Sequence, residues 1–131
     1  MRTLLAVFLG GAVGTGLRLL TDALIVHSDD QFPVSTLLIN ILGSFILAVL
    51  VSRLWPVAPD WLRGGLGPGL VGGFTTFSAV MASMVTLAAS SQILLALVYL
   101  AVTLVFGFGA AALGFRVGRR RDTAPTIEVD E

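Results

Sequence analysis

Residues 72–78, Gly-Gly-Phe-Thr-Thr-Phe-Ser, combine backbone freedom with hydroxyl groups in the middle of a long apolar stretch. Between Leu62 and Ala89 the one charged residue is Arg63, at the very start, so this stretch is long enough to cross a membrane. Paired glycines followed by threonine and serine favour departure of the backbone from helical geometry. Backbone polar groups freed inside a bilayer need protein, water or an ion as a partner. The motif therefore predicts either a helix-packing kink or a break that lines a cavity or holds an ion.

Two further polar residues lie within predicted spans, Arg18 in the first and Asn40 in the second. Arg18 needs a partner, a wet vestibule or an anionic ligand, or it extends to the membrane boundary with help from Asp22 one turn later. The Asn40 amide offers two donors that suit an anion, and interhelical hydrogen bonding is the ordinary alternative. An arginine, an amide, hydroxyls and backbone amides together favour the binding of an anion.

Carboxylates are absent from the deep part of every predicted span, because Asp22 lies near the end of the first. A small four-helix cation-coupled transporter needs a membrane-embedded carboxylate, so this class is disfavoured. The chain has no Ser/His/Asp set, no carboxylate pair and no metal-ligand cluster, and it has no cysteine. We therefore expect neither an enzyme nor a nucleic-acid-binding protein.

The composition is typical of an integral membrane protein: 56% of the 131 residues are hydrophobic and 12% are charged, and the mean hydropathy is +0.95. We predict an all-α fold of four transmembrane helices, with the third broken near its middle. The predicted spans are 3–26, 35–55, 62–89 and 92–115. Residues 1–118 form one four-helix domain in this interpretation, and 119–131 form a disordered charged tail.

Small residues recur within the spans at helical spacing, and such rows let helix backbones approach closely or support dimerisation. The rows comprise Gly10 and Gly14; Gly65, Gly69 and Gly73; and Gly107, Ala111 and Gly114.

The arginines are distributed unevenly across the predicted topology. Four spans place the amino terminus, the second loop and the tail on one side, and the first and third loops on the other. The first loop carries two acids, Asp29 and Asp30, and neither loop on that side contains an arginine. Under the positive-inside rule this predicts that both termini are cytoplasmic. The side with both termini and the second loop carries every arginine except Arg18, namely Arg2, Arg53, Arg63, Arg116, Arg119, Arg120 and Arg121.

Three motifs, spread over the first three of the four spans, resemble those of the Fluc (CrcB) family of fluoride channels. Residues 10–18 are similar to the family's first-helix GGxxGxxxR pattern, and residues 35–43 to its TLxxNxxG segment. Residues 72–78 match its GGxTTFS signature, which is the most specific of the three. Three motifs in the right order and in the right spans identify the chain as similar to this family.

The resemblance implies a channel in the plasma membrane, the inner membrane of a bacterial cell, through which cytoplasmic fluoride leaves down its gradient. It also implies an antiparallel dimer with two narrow fluoride pathways and a structural sodium ion at its centre. By this resemblance the sodium is held by backbone carbonyls of Gly72 and Thr75. The fluoride pathway then includes Asn40, Phe77, Thr76, Ser78 and, in the fourth span, Thr103, while Arg18 serves a vestibule or the structure.

One position departs from the family pattern. The signature usually continues to a second phenylalanine three residues after the first, where this chain has Val80. A valine offers no ring edge, so the pathway on this side of the subunit is expected to be impaired.

An antiparallel homodimer would also need half of its copies to insert against the arginine bias. The charge layout thus favours a heterodimer with an oppositely oriented homologue, and a non-conducting partner subunit is the alternative.

Overall fold

The structure, a computed structural model, describes residues 1–25 and 32–119. Four helices in this part are long and apolar enough to cross a membrane, and no strand is present there. The predicted all-α, four-span fold is confirmed. The third helix begins at Asp60 rather than Leu62, and the fourth ends at Gly118 rather than Phe115. Asp29, Asp30 and the predicted tail from residue 120 onward lie outside the described residues. The four helices, called spans 1 to 4 below, are Arg2–Leu24, Val34–Leu54, Asp60–Ala89 and Ile93–Gly118.

The spans form two parallel pairs, 1 with 3 and 2 with 4. In the first pair, Gly14 of span 1 lies against the backbone of Leu70. In the second pair, Gly114 lies against Phe45 and Ala48, and Gly118 lies against Ser52 one turn later. Between the pairs, Gly43 of span 2 lies against Thr75, and Trp55 lies against Gly67, so span 2 runs opposite to span 3. Consecutive spans therefore run in opposite directions, as four membrane crossings require.

Span 1 packs on span 3 through glycines, and we call this contact the glycine seam; its members are Gly10, Gly14, Gly65, Gly69 and Gly73. A Cβ atom on Gly69 would lie 2.9 Å from the Val7 carbonyl oxygen, and one on Gly73 would lie 2.7 Å from that of Gly11. At Gly14 an added Cβ would overlap the Leu70 carbonyl. The predicted close approach of backbones is confirmed, because the missing side chains let the two helices touch main chain to main chain.

Span 3 departs from α-helical geometry well before the glycine–threonine motif. It is α-helical over Asp60–Gly64, π-helical over Gly65–Val71 and α-helical again over Gly72–Phe74. Pro68 lies inside the π-helical segment, where a proline lacks the N–H of an ordinary helical residue and crowds the preceding turn. The wider π turn accommodates it.

The interior of the bundle lies where spans 2 and 4 meet the second part of span 3. The largest fully buried side chains there are Ile39, Val80, Leu87 and Tyr99. Span 1 buries only Gly14, and its leucines and phenylalanine face outward. Span 1 is therefore the peripheral helix, held at the edge of the bundle by span 3.

Candidate functional site at the helix break

Span 3 is interrupted at Thr75 and Thr76, which both have extended backbone. Their φ and ψ angles are −80° and 154° for Thr75, and −152° and 120° for Thr76. The helix resumes at Phe77 and continues to Ala89. Thr76 caps this second helix, because its hydroxyl accepts the Ala79 N–H at 3.2 Å. The predicted break near the middle of span 3 is confirmed.

Asn40 of span 2 holds the broken segment with its side-chain amide. Its Nδ2 donates to the Thr76 carbonyl at 3.0 Å, and its Oδ1 accepts the Thr76 N–H at 2.8 Å. We call this pair of hydrogen bonds the Asn40–Thr76 clamp. The interhelical hydrogen bonding expected of Asn40 is confirmed. Only one of the two Nδ2 hydrogens is used by the clamp, and the other has no partner among the described residues.

The break leaves the four carbonyl groups of residues 72–75 without their helical donors. The Thr76 N–H bonds to Asn40, so it does not donate to Gly72 four residues earlier. The Ala79 N–H bonds to the Thr76 hydroxyl, so it does not donate to the Thr75 carbonyl. Gly72 and Thr75, which the family resemblance assigns to a cation, are two of these four residues, and the other two are Gly73 and Phe74. The Thr75 side chain is occupied locally, because its hydroxyl donates to the Val71 carbonyl at 2.9 Å.

The hydroxyls of Thr76 and Ser78 lie 3.0 Å apart and hydrogen-bond to each other. Either oxygen can be the donor, and a hydroxyl carries one hydrogen. The two hydroxyls carry two hydrogens and their mutual bond uses one of them, while Thr76 acts only as an acceptor of the Ala79 N–H. One hydroxyl hydrogen therefore remains free whichever way the pair is arranged. This small pair can therefore donate one further hydrogen bond.

A cavity of about 340 Å³ opens beside the break. Five predicted residues line it, namely Asn40, Thr75, Thr76, Phe77 and Thr103. Three other predicted residues, Gly72, Ser78 and Arg18, are not part of its wall. The remainder of the wall is mainly apolar and includes Leu47, Val71, Leu104 and Phe108. The fold thus gathers residues from three spans around one cavity with few polar groups.

Phe77 begins the helix that follows the break, and its side chain is 63% exposed. The first N–H groups of a helix have no intrahelical acceptor, and the aligned peptide dipoles give this end a partial positive charge. An aromatic ring edge is likewise electropositive. Phe77 therefore places a ring edge and a helix N-terminus at the cavity, and both favour an anion.

Thr103 continues the polar surface into span 4, where its hydroxyl donates to the Tyr99 carbonyl at 2.8 Å. Tyr99 is a residue that the sequence analysis missed. Its side chain is fully buried, and its hydroxyl has no hydrogen-bond partner within the described part of the chain. The hydroxyls of Thr103, Ser83 and Thr36 surround it, none of them in hydrogen-bonding geometry.

Ser35 has the same property as Tyr99, because its side chain is fully buried and its Oγ atom is unpaired in the described residues. A buried hydroxyl without a partner is costly, and neither Ser35 nor Tyr99 is part of the cavity wall. The sequence contains a signal for these neighbouring hydroxyl side chains. Thr36 precedes Asn40 by four residues, and Tyr99 precedes Thr103 by four residues. Positions four apart lie on the same face of a helix.

Arg18 and Val80 lie away from the cavity. Arg18 is half-buried and sits six residues before the end of span 1, about 9 Å along the helix axis. The help from Asp22 that one of the two alternatives for Arg18 included is not formed, and the ion pair in the described part of the chain joins Arg63 to Asp60 at 3.9 Å. Val80 is fully buried inside the subunit and does not line the cavity wall.

Comparison with known proteins gives consistent matches along the chain. Residues 5–115 match the family model described as CrcB-like protein, Camphor Resistance (CrcB). The chain is 38% identical over 130 residues to the fluoride-specific ion channel FluC 2 of Halalkalibacterium halodurans, covering 98% of this chain and 95% of the relative. It is 40% identical over 119 residues to the fluoride-specific ion channel FluC of Xanthomonas euvesicatoria, covering 88% and 90%. It is also 40% identical over 95 residues to the fluoride-specific ion channel FluC 1 of Desulfitobacterium hafniense, covering 70% and 82%.

Proposed function

Because the chain belongs to the CrcB-like protein family, we propose that it is a subunit of a fluoride-specific ion channel and not an enzyme. Fluoride enters cells as the neutral weak acid HF, which dissociates at cytoplasmic pH and is then trapped as the anion. A passive channel lets this fluoride leave down its electrochemical gradient and so reduces its toxicity. The chain is a multi-pass membrane protein, and we propose the plasma membrane as its location.

The observation that carries this proposal is the Asn40–Thr76 clamp beside a cavity. A break inside a membrane helix is costly unless its backbone groups find partners. Here an asparagine from another span supplies two of those partners, and the break faces a cavity rather than a packed interface. This arrangement supports a pathway and disfavours a kink whose only purpose is packing.

The groups at the cavity match the demands of fluoride, which is small and strongly hydrated. It gives up water only where donors replace that water at close range. The second Asn40 N–H and the free hydrogen of the Thr76–Ser78 pair are such donors, and the Phe77 ring edge adds a weaker attraction. We propose that fluoride passes these groups, then Thr103, and then the unpaired hydroxyl of Tyr99.

We also propose a structural sodium ion, held by the backbone carbonyls of Gly72 and Thr75. The local geometry supports such an ion, because these two carbonyls are among the four at the break that have lost their helical donors. Carbonyl oxygens are suitable ligands for an alkali cation. The ion would coordinate these oxygens and so stabilise the break. We propose that it lies at the centre of a dimer, where the same motif of the second subunit adds its own carbonyl ligands.

The charge distribution supports a specific orientation and assembly. The described arginines at helix ends all lie at one end of the bundle: Arg2, Arg53, Arg63, Arg116 and Arg119. We propose that this end, with both termini, is cytoplasmic. The same bias supports an antiparallel heterodimer with an oppositely oriented homologue. The names FluC 1 and FluC 2 among the relatives indicate that some organisms carry more than one such protein.

A second candidate function is a non-conducting partner that completes the pore of another subunit. The burial of Val80 favours it, because this side chain can offer neither a ring edge nor a polar group to a pathway. A cation-coupled transporter receives no comparable support, since the cavity wall contains no acidic residue.

Fluoride efflux from liposomes, followed with a fluoride electrode, tests the proposal. The chain is reconstituted alone and together with an oppositely oriented homologue from the same genome. We expect fluoride efflux without chloride efflux, and more of it from the mixture. Equal release of the two anions, or no release in either preparation, would contradict a fluoride-specific channel. If Phe77→Leu in this chain leaves the efflux of the mixture unchanged, the non-conducting role is the correct one.

Topology reporters fused to the carboxy terminus test the orientation. We expect a cytoplasmic signal from this chain expressed alone. Comparable cytoplasmic and periplasmic signals would show dual insertion and would remove the argument for a heterodimer.

A further inference from the structure

A second cavity of about 620 Å³ lies on the outer surface between span 1 and the beginning of span 3, away from the helix break. We call it the outer groove. Its walls are apolar and include Leu9, Val13, Leu66 and Leu70, while Arg2 and Trp61 lie at its end. Gly10 and Gly65 of the glycine seam also line it, where the backbones of the two spans touch.

The length of the outer groove corresponds to one membrane leaflet. Its wall on span 1 extends from Arg2 to Val13, and eleven helical steps cover about 16 Å. The hydrocarbon core of a bilayer is about 30 Å thick, so one leaflet accounts for about half of that. The groove therefore begins at the interface and reaches close to the middle of the membrane.

The interfacial end of the groove carries a free cation. Arg2 makes no hydrogen bond or ion pair within the described part of the chain, whereas Arg63 nearby is occupied by Asp60 and by the Ala58 carbonyl. Trp61, 46% exposed, adds an indole at the same end, and indoles favour the headgroup region. The cation at the interface complements an anionic headgroup, and the apolar outer groove complements an acyl chain, so the two together match one phospholipid molecule.

We propose that the outer groove binds an anionic phospholipid, with an acyl chain along the apolar walls and the phosphate group at the Arg2 guanidinium. Arginine recognises phosphate through paired N–H donors, and the net charge of an anionic headgroup matches that of Arg2. Span 1 is the peripheral helix and buries only Gly14, so the groove opens on the outer surface of the four-helix bundle. The proposal stands independently of fluoride conduction.

Quenching of tryptophan fluorescence by brominated lipids tests the proposal. The full chain carries Trp55→Phe, so that Trp61 is the reporter, and is reconstituted in vesicles containing either dibromo-phosphatidylglycerol or dibromo-phosphatidylcholine. We expect phosphatidylglycerol to quench with about fivefold higher relative affinity, the ratio that corresponds to about 1 kcal/mol for one arginine near an anionic surface. Arg2→Gln should abolish this preference. Arg116→Gln is the matched control, because it removes one arginine at the same end of the bundle but outside the groove, and it should keep the preference.

Each other outcome overturns the proposal. Equal quenching by the two lipids would show ordinary solvation by the bilayer. Protection of Trp61 from both lipids would show that protein, such as a second subunit, covers the groove. Equal losses in Arg2→Gln and Arg116→Gln would show a general surface charge effect. Reversal of the quenching by inorganic phosphate would show a site for the free anion rather than for a lipid.

Discussion

Span 3 departs from α-helical geometry twice, and the two departures differ in where their backbone hydrogen bonds go. In the π-helical segment Gly65–Val71 the bonds stay within the helix and change their spacing, so that the Gly72 N–H reaches back to the Gly67 carbonyl. At Thr75 and Thr76 the helix stops, and the bonds pass to Asn40 and to the Thr76 hydroxyl. The first segment packs against span 1, whereas the second faces a cavity.

This difference separates packing from function. An irregular helix that keeps its own hydrogen bonds can be explained by Pro68 and by the close approach of span 1. A break whose bonds depend on a side chain from another span leaves carbonyls and donors available to ions. Both regions contain glycines, so glycine content alone does not identify the one that we propose as functional. The following substitutions test whether the two regions respond differently.

The largest effect is expected from Asn40→Leu. Leucine leaves the Thr76 N–H without a partner, which costs about 1–3 kcal/mol, and the Thr76 carbonyl, which also accepts the first bond of the following helix, loses one of its two donors. We expect complete loss of fluoride efflux and a clear loss of thermal stability of the purified protein. Phe77→Leu is the companion variant, since Phe77 is exposed and makes no clamp. It should abolish efflux at nearly unchanged stability, and wild-type efflux in both variants would remove the cavity from the pathway.

In the glycine seam, Gly14→Ala should destabilise the packing of span 1 on span 3. The added Cβ would overlap the Leu70 carbonyl, and forced repacking typically costs about 1–3 kcal/mol. Gly16→Ala in the same helix is the matched control, because nothing lies within 4 Å of its Cβ position. Both substitutions raise helix propensity equally. Similar thermal stability of the two variants would show that the backbones of spans 1 and 3 are not in direct contact at Gly14.

Val80→Phe tests whether the buried valine can be exchanged for the ring that the family signature usually has. The Val80 side chain is fully buried, and a larger side chain in a packed site costs about 1–3 kcal/mol. We expect lower thermal stability and no gain in fluoride efflux. A rise in efflux at unchanged stability would instead show that position 80 reaches the pathway.

The smallest effect is expected from Thr75→Ala. It removes one hydrogen bond, from the hydroxyl to the Val71 carbonyl, which contributes about 1 kcal/mol. The Val71 carbonyl keeps the Thr75 N–H as a donor, and the proposed sodium ligand is the main-chain oxygen. Thr75→Ser keeps the hydroxyl and should behave like the wild type. We expect both variants to retain sodium-dependent thermal stability, and its loss in Thr75→Ala alone would assign the ion to the hydroxyl.

The sequence by itself determined the features that depend on local composition. Apolar length predicted four spans, and the glycine–threonine motif predicted a break in the third. The rows of small residues predicted that helix backbones approach closely, without specifying which spans meet. Each of these follows from the residues of a single helix, because burial in lipid and backbone freedom are properties of neighbouring residues along the chain.

Only the tertiary structure decided where the freed backbone groups find their partners. The clamp joins Thr76 to Asn40, which are 36 positions apart in sequence, and no local pattern in span 3 specifies that partner. The burial of Val80 and the unpaired hydroxyl of Tyr99 likewise depend on how spans 2, 3 and 4 meet. Hydrogen bonding and desolvation act between atoms that are close in space, so these properties exist only after the helices have packed.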